Sequence, residues 1–208
     1  MAAVARRRPV FHSEADCQHE LALEIHQAGH QVRLEVPRDV QVNGATVRAE
    51  IDLLVKETTW TAIELKYVRQ AATIKHGGES FDLAGTWGTN LSRFDCLADL
   101  RRVEAIVKAG HARQGYAVFL TNATSAWRDD VSATANMARD FSIHEGRRLP
   151  RGRPLDWDPP TPPVASVSRK RLSPFAPILL DRAQDCNWRD YSKLHHPAGV
   201  FRYLLLSA

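Results

Sequence analysis

No run of apolar residues in this chain approaches the ~18 that a helix needs to cross a bilayer, so no spanning helix is expected. Cysteine is scarce: Cys17, Cys96 and Cys186 are odd in number, lie far apart and form no C-x-x-C pair. That leaves neither a disulfide framework nor a cysteine zinc site, and it points to buried free thiols in a reducing, cytoplasmic compartment. Met1 to Pro9 carries Arg6-Arg7-Arg8 with no apolar core behind it, so it reads as a mobile tail over residues 1–10 and not as a signal peptide. Catalytic signatures are missing as well. There is no H-E-x-x-H to place two imidazoles on one zinc, no G-x-S-x-G nucleophile elbow and no G-x-x-x-x-G-K-[ST] phosphate loop. His144-Glu145 and His195-His196 have no partners at ligand spacing, and none of the nine histidines is assigned a role. Internal repeats are also absent.

What is present is ordinary globular composition, 44% hydrophobic and 25% charged over 208 residues, enough for one domain with a sizeable core. The 28 basic and 24 acidic residues leave a charge of +4, which suits a nucleic-acid partner. The organising stretch runs from Val47 to Val68. Two apolar, β-branched runs, Val47–Val55 and Trp60–Val68, flank the polar break Lys56-Glu57-Thr58-Thr59, the pattern of a β-hairpin. Alternation puts Ile63, Leu65 and Tyr67 on one face of the second strand and Glu64 and Lys66 on the other, between Ala62 and Val68. Asp52 sits likewise between Ile51 and Leu53. Burying ionised groups costs several kcal/mol each unless they are paired or bound to a metal, so an ordinary core hairpin would avoid all three.

Asp52 and Glu64 on adjacent strands can share a hard divalent cation, which takes oxygen ligands. Lys66, two residues along the same face, is placed to hold the attacking water and offset phosphate charge, the makings of metal-assisted phosphodiester hydrolysis. The competing reading is a solvated edge, since an E-x-K triplet on a strand is common. With Asp52, Ile63-Glu64-Leu65-Lys66 and their spacing, the chain resembles the PD-(D/E)XK nuclease superfamily. Ile51 stands where the superfamily's name has proline, a position that varies within it. The resemblance implies a restriction endonuclease-like α/β core, a mixed central sheet flanked by helices in α-β-β-β-α-β order. It further implies Mg²⁺ (or Mn²⁺) held by Asp52, Glu64 and the Leu65 carbonyl, with Lys66 assisting catalysis. A further acidic residue is expected from the first helix, Glu14, with Glu20 as competitor. Over nearly its full length the chain resembles a bacterial subgroup of this nuclease type.

The rest of the chain fits around that hairpin. A first helix is expected from Ser13, as N-cap, to about His30; Glu14 and Gln18 lie one turn apart on one face, and Glu14 also fits a plain first-turn carboxylate. Gln31–Val36 reads as a strand ended by Pro37, and Asn43-Gly44 as the turn into the Asp52 strand. Ala71–Asn90 is glycine-rich, a wall or flap over the site or else a connection with a short strand at Ser80–Ala84. Leu91–Ala109 is an amphipathic helix closed by Gly110, its polar side reading mainly as surface ion pairs, with Arg93 and Asp95 as candidates to line the site. Gly115–Asn122 is apolar enough to be a buried strand, parallel to the Glu64 strand across a crossover.

Residues 11–124 form the expected nuclease-like core and 125–208 a C-terminal extension packed on it. The extension is expected to hold a helix over Trp127–Phe141, a Pro/Arg-rich segment at 147–163, the basic knot Arg169-Lys170-Arg171, and strands at Ala176–Leu180 and Phe201–Ser207. Arg93, Arg147, Arg148 and Arg151 are candidate nucleic-acid contacts, with Arg153 beside them. The leading expectation is a metal-dependent nuclease acting on DNA, with a homodimer the simplest way to cut both strands. The alternative is a nuclease-fold module that binds nucleic acid or protein without catalysis; a different phosphate ester or tRNA as substrate stays open.

Overall fold

The computed structural model describes residues 1–42, 44–86, 89–129, 138–157 and 177–208. The chain forms a mixed α/β structure around a six-stranded sheet of order β1-β2-β3-β6-β10-β9. In chain order these are β1 (Gln31–Val42), β2 (Ala45–Lys56), β3 (Trp60–Val68), β6 (Gln114–Thr121), β9 (Trp188–Lys193) and β10 (Val200–Ser207). β3 and β6 pair in parallel and every other neighbour is antiparallel. The helices among the described residues are α1 (Ala2–Arg7), α2 (Glu14–Gln27) and α3 (Thr89–Lys108). None of them is long and apolar enough to cross a membrane.

Alternation splits each strand between two cores. Leu65, Tyr67, Val118, Leu120 and Phe201 face α1 and α2, packing on Val4, Phe11, Cys17 and Leu21. Val68, Ala117, Phe119, Leu204 and Leu206 face α3, packing on Phe94, Leu97 and Leu100. From α2 to β6 the chain runs helix, three strands, a further hairpin, helix and strand, so the expected α-β-β-β-α-β order is interrupted between β3 and α3. Ser13 caps α2 by accepting from the Asp16 N–H at 3.1 Å, which satisfies one of the donors that a helix start leaves open. All three cysteines are free and buried.

Several expectations need correction. Residues 1–10 are not a free tail: Val4 and Val10 are buried, and Arg7 and Arg8 pair with Glu20 and Asp16 at 3.0 Å. Pro37 does not end β1. The strand lies at the sheet edge, where a missing N–H on the solvent side costs no ladder bond. The turn at 43–44 falls partly outside the described residues; Gly44 has φ +79. Within 71–90 lies a hairpin, β4 (Ala72–His76) and β5 (Glu79–Leu83), two strands in place of the single short strand at Ser80–Ala84. It turns on Gly77-Gly78, both at positive φ, and buries Ile74, Phe81 and Leu83 on the α2 side.

Nor is 125–208 an extension laid on a finished core, because β9 and β10 belong to the central sheet. Of the expected 127–141 helix, residues 130–137 fall outside the description, and the flanking Thr124–Ala126 and Arg139–Phe141 are single 3₁₀ turns. Of the expected strand at 176–180, residue 176 lies outside the described residues, and Ile178 makes one bridge to Leu155. β7 (Arg148–Leu149) and β8 (Gln184–Asp185) form a small separate ladder. Residues 158–163 and the 169–171 knot lie outside the described residues.

α3 lies so close to β6 that a Cβ on Gly115 would sit 2.2 Å from Val103 Cγ1 and 3.0 Å from Val107 Cγ2. Gly115→Ala is therefore expected to lower stability by about 1–3 kcal/mol. Urea unfolding should show this as a lower midpoint with an unchanged slope; a midpoint equal to the parent's would mean α3 can back away.

Candidate active site

The ladder between β2 and β3 runs from Lys56↔Trp60 to Leu53↔Ile63 and stops there. β2 continues in register with β1 alone, and the resulting arm packs Val40, Ala49 and Ile51 against Ala105 and Ile106 of α3. Two N–H groups of β3 consequently face no strand. Carboxylates take the place of the missing ladder: Asp52 Oδ2 accepts from Leu65 N, and Glu14 Oε2 accepts from Tyr67 N, each at 2.7 Å. N–H and C=O of one strand residue point to the same edge, so the Leu65 carbonyl faces this gap too.

Glu64 and Lys66 project toward α3, which presents Asp95, Asp99 and Arg102 at i, i+4 and i+7. Arg102 Nη2 bridges Glu64 Oε2 at 2.8 Å and Asp99 Oδ1 at 2.7 Å. Glu64 is 2% exposed, and its other oxygen, Oε1, has no hydrogen-bond partner. Lys66 Nζ lies 3.7 Å from Glu14 Oε1 with its side chain 34% exposed. Glu64, Lys66, Cys96, Asp99 and Phe119 line a crevice between β3, β6 and α3 with essentially no room for a water.

Negative charge is in excess here, with Glu14, Glu35, Asp52, Glu64 and Asp99 against Lys66 and Arg102. Burial pushes the Glu64 carboxyl up to about 8, with Asp52 and Asp99 adding to the shift and Arg102 opposing it. Asp52 is pushed up to about 6 by burial and by Asp99, Glu35 and Glu14, against the Leu65 hydrogen bond. Burial works against the Lys66 charge, but Asp99, Glu14, Asp95 and Asp52 outweigh it and hold the ammonium above its usual value. Lys66 is thus a fixed positive charge and a donor at neutral pH.

Asp52, Glu64, Lys66 and Glu14 lie within one another's fields, with the Leu65 N–H on Asp52. Glu20 does not, being paired with Arg7 on the outer side of α2. Asp95 reaches the site through its field on Lys66. Arg93 is a correction: it is 6% exposed and donates to the Ser125 carbonyl at 2.9 Å, so it is a structural arginine out of a ligand's reach. Arg147 likewise is spent on the Arg139 and Asp140 carbonyls. Arg148 is exposed but paired with Asp185 at 3.0 Å, Arg153 holds Asp140, and Arg151 is exposed.

Gln18, Glu35, Asp99 and Arg102 also neighbour the site. The sequence marks Gln18 only by its place one turn after Glu14, and Asp99 and Arg102 only by lying four and seven residues after Asp95 on α3. A serine-type site is excluded at Ser142, whose Oγ is 2.9 Å from His144 Nδ1 while Asp129 approaches the same nitrogen at 3.8 Å. One nitrogen cannot take the hydroxyl proton and donate to the carboxylate at once. Among the described residues no three His, Cys, Asp or Glu side chains converge as a ready metal cluster. Comparison with protein-family models, curated proteins and solved structures finds no match.

Proposed function

We propose that the chain is a divalent-metal-dependent phosphodiesterase of restriction endonuclease-like fold that cleaves nucleic acid, DNA in the first instance. The observation that carries this reading is the buried Glu64 carboxylate in the crevice between β3, β6 and α3, its Oε1 lacking any partner. Buried carboxylates raised this far are relieved by a cation. The donors available, Asp52, Glu64 and the Leu65 carbonyl, are all oxygens, the set that Mg²⁺ or Mn²⁺ prefers. Those three residues would hold the metal, and the ion would supply Lewis-acid activation of water and phosphate. Glu14 keeps the β3 edge open through Tyr67 N and stands against Lys66. Lys66, held charged, orients the water by donation and faces the phosphate; it accepts no proton. Cutting both strands of a duplex would take two copies.

Calorimetric titration with Mn²⁺, alone and with a DNA duplex, is the test. Wild type should bind, and Asp52→Ala combined with Glu64→Ala should lose binding at least ~100-fold, as expected for removal of metal ligands. One observation favours a second reading, a non-catalytic module: Arg102 already serves as the Glu64 counterion. Absence of metal binding in wild type with duplex present would select that module.

A further inference from the structure

We infer that Gln18 is the positioning residue of Asp52, acting through the break that it holds in the β1–β2 ladder. The inference rests on reading Asp52 as a site carboxylate. Gln18 lies in α2, 8% exposed, and its amide nitrogen donates to Glu35 Oε1 at 2.5 Å and to the Asp52 carbonyl at 2.8 Å. Both donors of the amide are spent, one on each strand. Glu35 has φ +51, a left-handed conformation found at no other non-glycine residue among those described. It stands opposite Asp52. The β1–β2 register is paired on either side, at Leu34↔Leu53 and Val36↔Ile51, and the Glu35–Asp52 pair between them is missing.

A break in the ladder, a strained residue and a buried amide from another layer therefore coincide at one position. A non-glycine residue in this conformation persists only where its surroundings hold it, and Gln18 is the group that holds both sides. Its grip turns the Asp52 carbonyl toward α2 while the carboxylate reaches Leu65 N across the gap. Released from Gln18, the Glu35–Asp52 pair is free to close, and Asp52 loses its aim at β3.

Residue-resolved amide exchange together with Mn²⁺ calorimetry on the full chain tests this. Gln18→Met keeps the length and removes both donors. Glu35→Gly removes the acceptor while permitting the positive φ, and so guards against a variant that fails to fold. Each should lower the exchange protection of the Leu65 amide about tenfold, the worth of one hydrogen bond, while Tyr67 N–H, held by Glu14, keeps its protection. Mn²⁺ affinity should fall about 10- to 100-fold, as for groups that orient ligands. Glu35→Gln, which retains an acceptor, should restore the Leu65 protection. Unchanged protection at Leu65 in both variants overturns the inference, as does an equal loss across the whole sheet or a local loss with unaltered Mn²⁺ affinity. Should wild type take up no Mn²⁺ even with duplex while Leu65 still responds, the nuclease reading fails and the Gln18 grip on Asp52 stands.

Discussion

Lys66→Ala is expected to lower cleavage of DNA by ~10²–10⁴-fold, the range for a positioned group that acts at the reacting water, with duplex affinity within a few-fold of the parent. The lysine sits where β3 has already parted from β2, against Asp95 and Asp99 on one side and Glu14 on the other. Its removal deletes the only ammonium facing these acids among the described residues and leaves both strands of the hairpin unchanged. A third of the side chain is exposed, so the loss in stability should be slight. Removing a positive charge from an acidic site should also leave divalent-ion affinity equal or higher. Lys66→Arg is not expected to rescue, since a planar fork does not replace a compact point charge. Single-turnover cleavage of labelled duplex, with anisotropy for affinity, reads both effects. Undiminished cleavage would remove Lys66 from the mechanism.

Arg102→Met should be the most destabilising single change at the site, by about 3–5 kcal/mol at pH 8, because it strips the counterion from two carboxylates at once. Glu64 is buried and Asp99 nearly so, and both rely on the same nitrogen of Arg102. Adding Glu64→Gln to that variant should recover most of the loss. The same pair sets a pH dependence. Glu64 titrates near 8 in the folded chain against a reference of 4.5, so the folded state binds more protons than the unfolded one between those values. Stability then falls as pH rises from about 4.5 to 8, the reverse of a carboxylate that is depressed by its partner. Asp52 adds to the fall between 3.8 and about 6. Urea unfolding at pH 5 and pH 8 should show the drop, and Glu64→Gln should flatten it. A Glu64→Gln variant with the parent's slope would locate the titration elsewhere.

The hairpin and its charges were legible because they are local. Alternation over nine residues of β3 puts Glu64 and Lys66 on one face, and a three-residue connection at 57–59 brings Asp52 alongside. Ser13 and the acids behind it marked the start of α2 for the same reason. What failed to show depends on partners distant in sequence. Asp99 and Arg102 carry the signature of a solvated helix face, and only the packing of α3 on β3 makes them neighbours of Glu64. Pro37 reads as a strand end unless its strand is known to be an edge. β9 looks like a polar loop because three of its residues, Arg189, Asp190 and Lys193, are exposed, and its place follows from pairing with β10. The strained Glu35 has no sequence mark at all, being a non-glycine residue in a glycine conformation.

The early parting of β2 from β3 has a mechanical side. The β1–β2 arm joins the remainder of the sheet only from Leu53↔Ile63 to Lys56↔Trp60, whereas β3 and β6 stay zipped from Thr61↔Gln114 to Val68↔Thr121. The sheet therefore has a seam, and the candidate site is stitched across it by side chains. Partial opening should begin along that seam, with the arm swinging as a lever whose fulcrum is Asp52. A load on the arm would bear on the Asp52–Leu65 hydrogen bond and on the packing of the arm against α3.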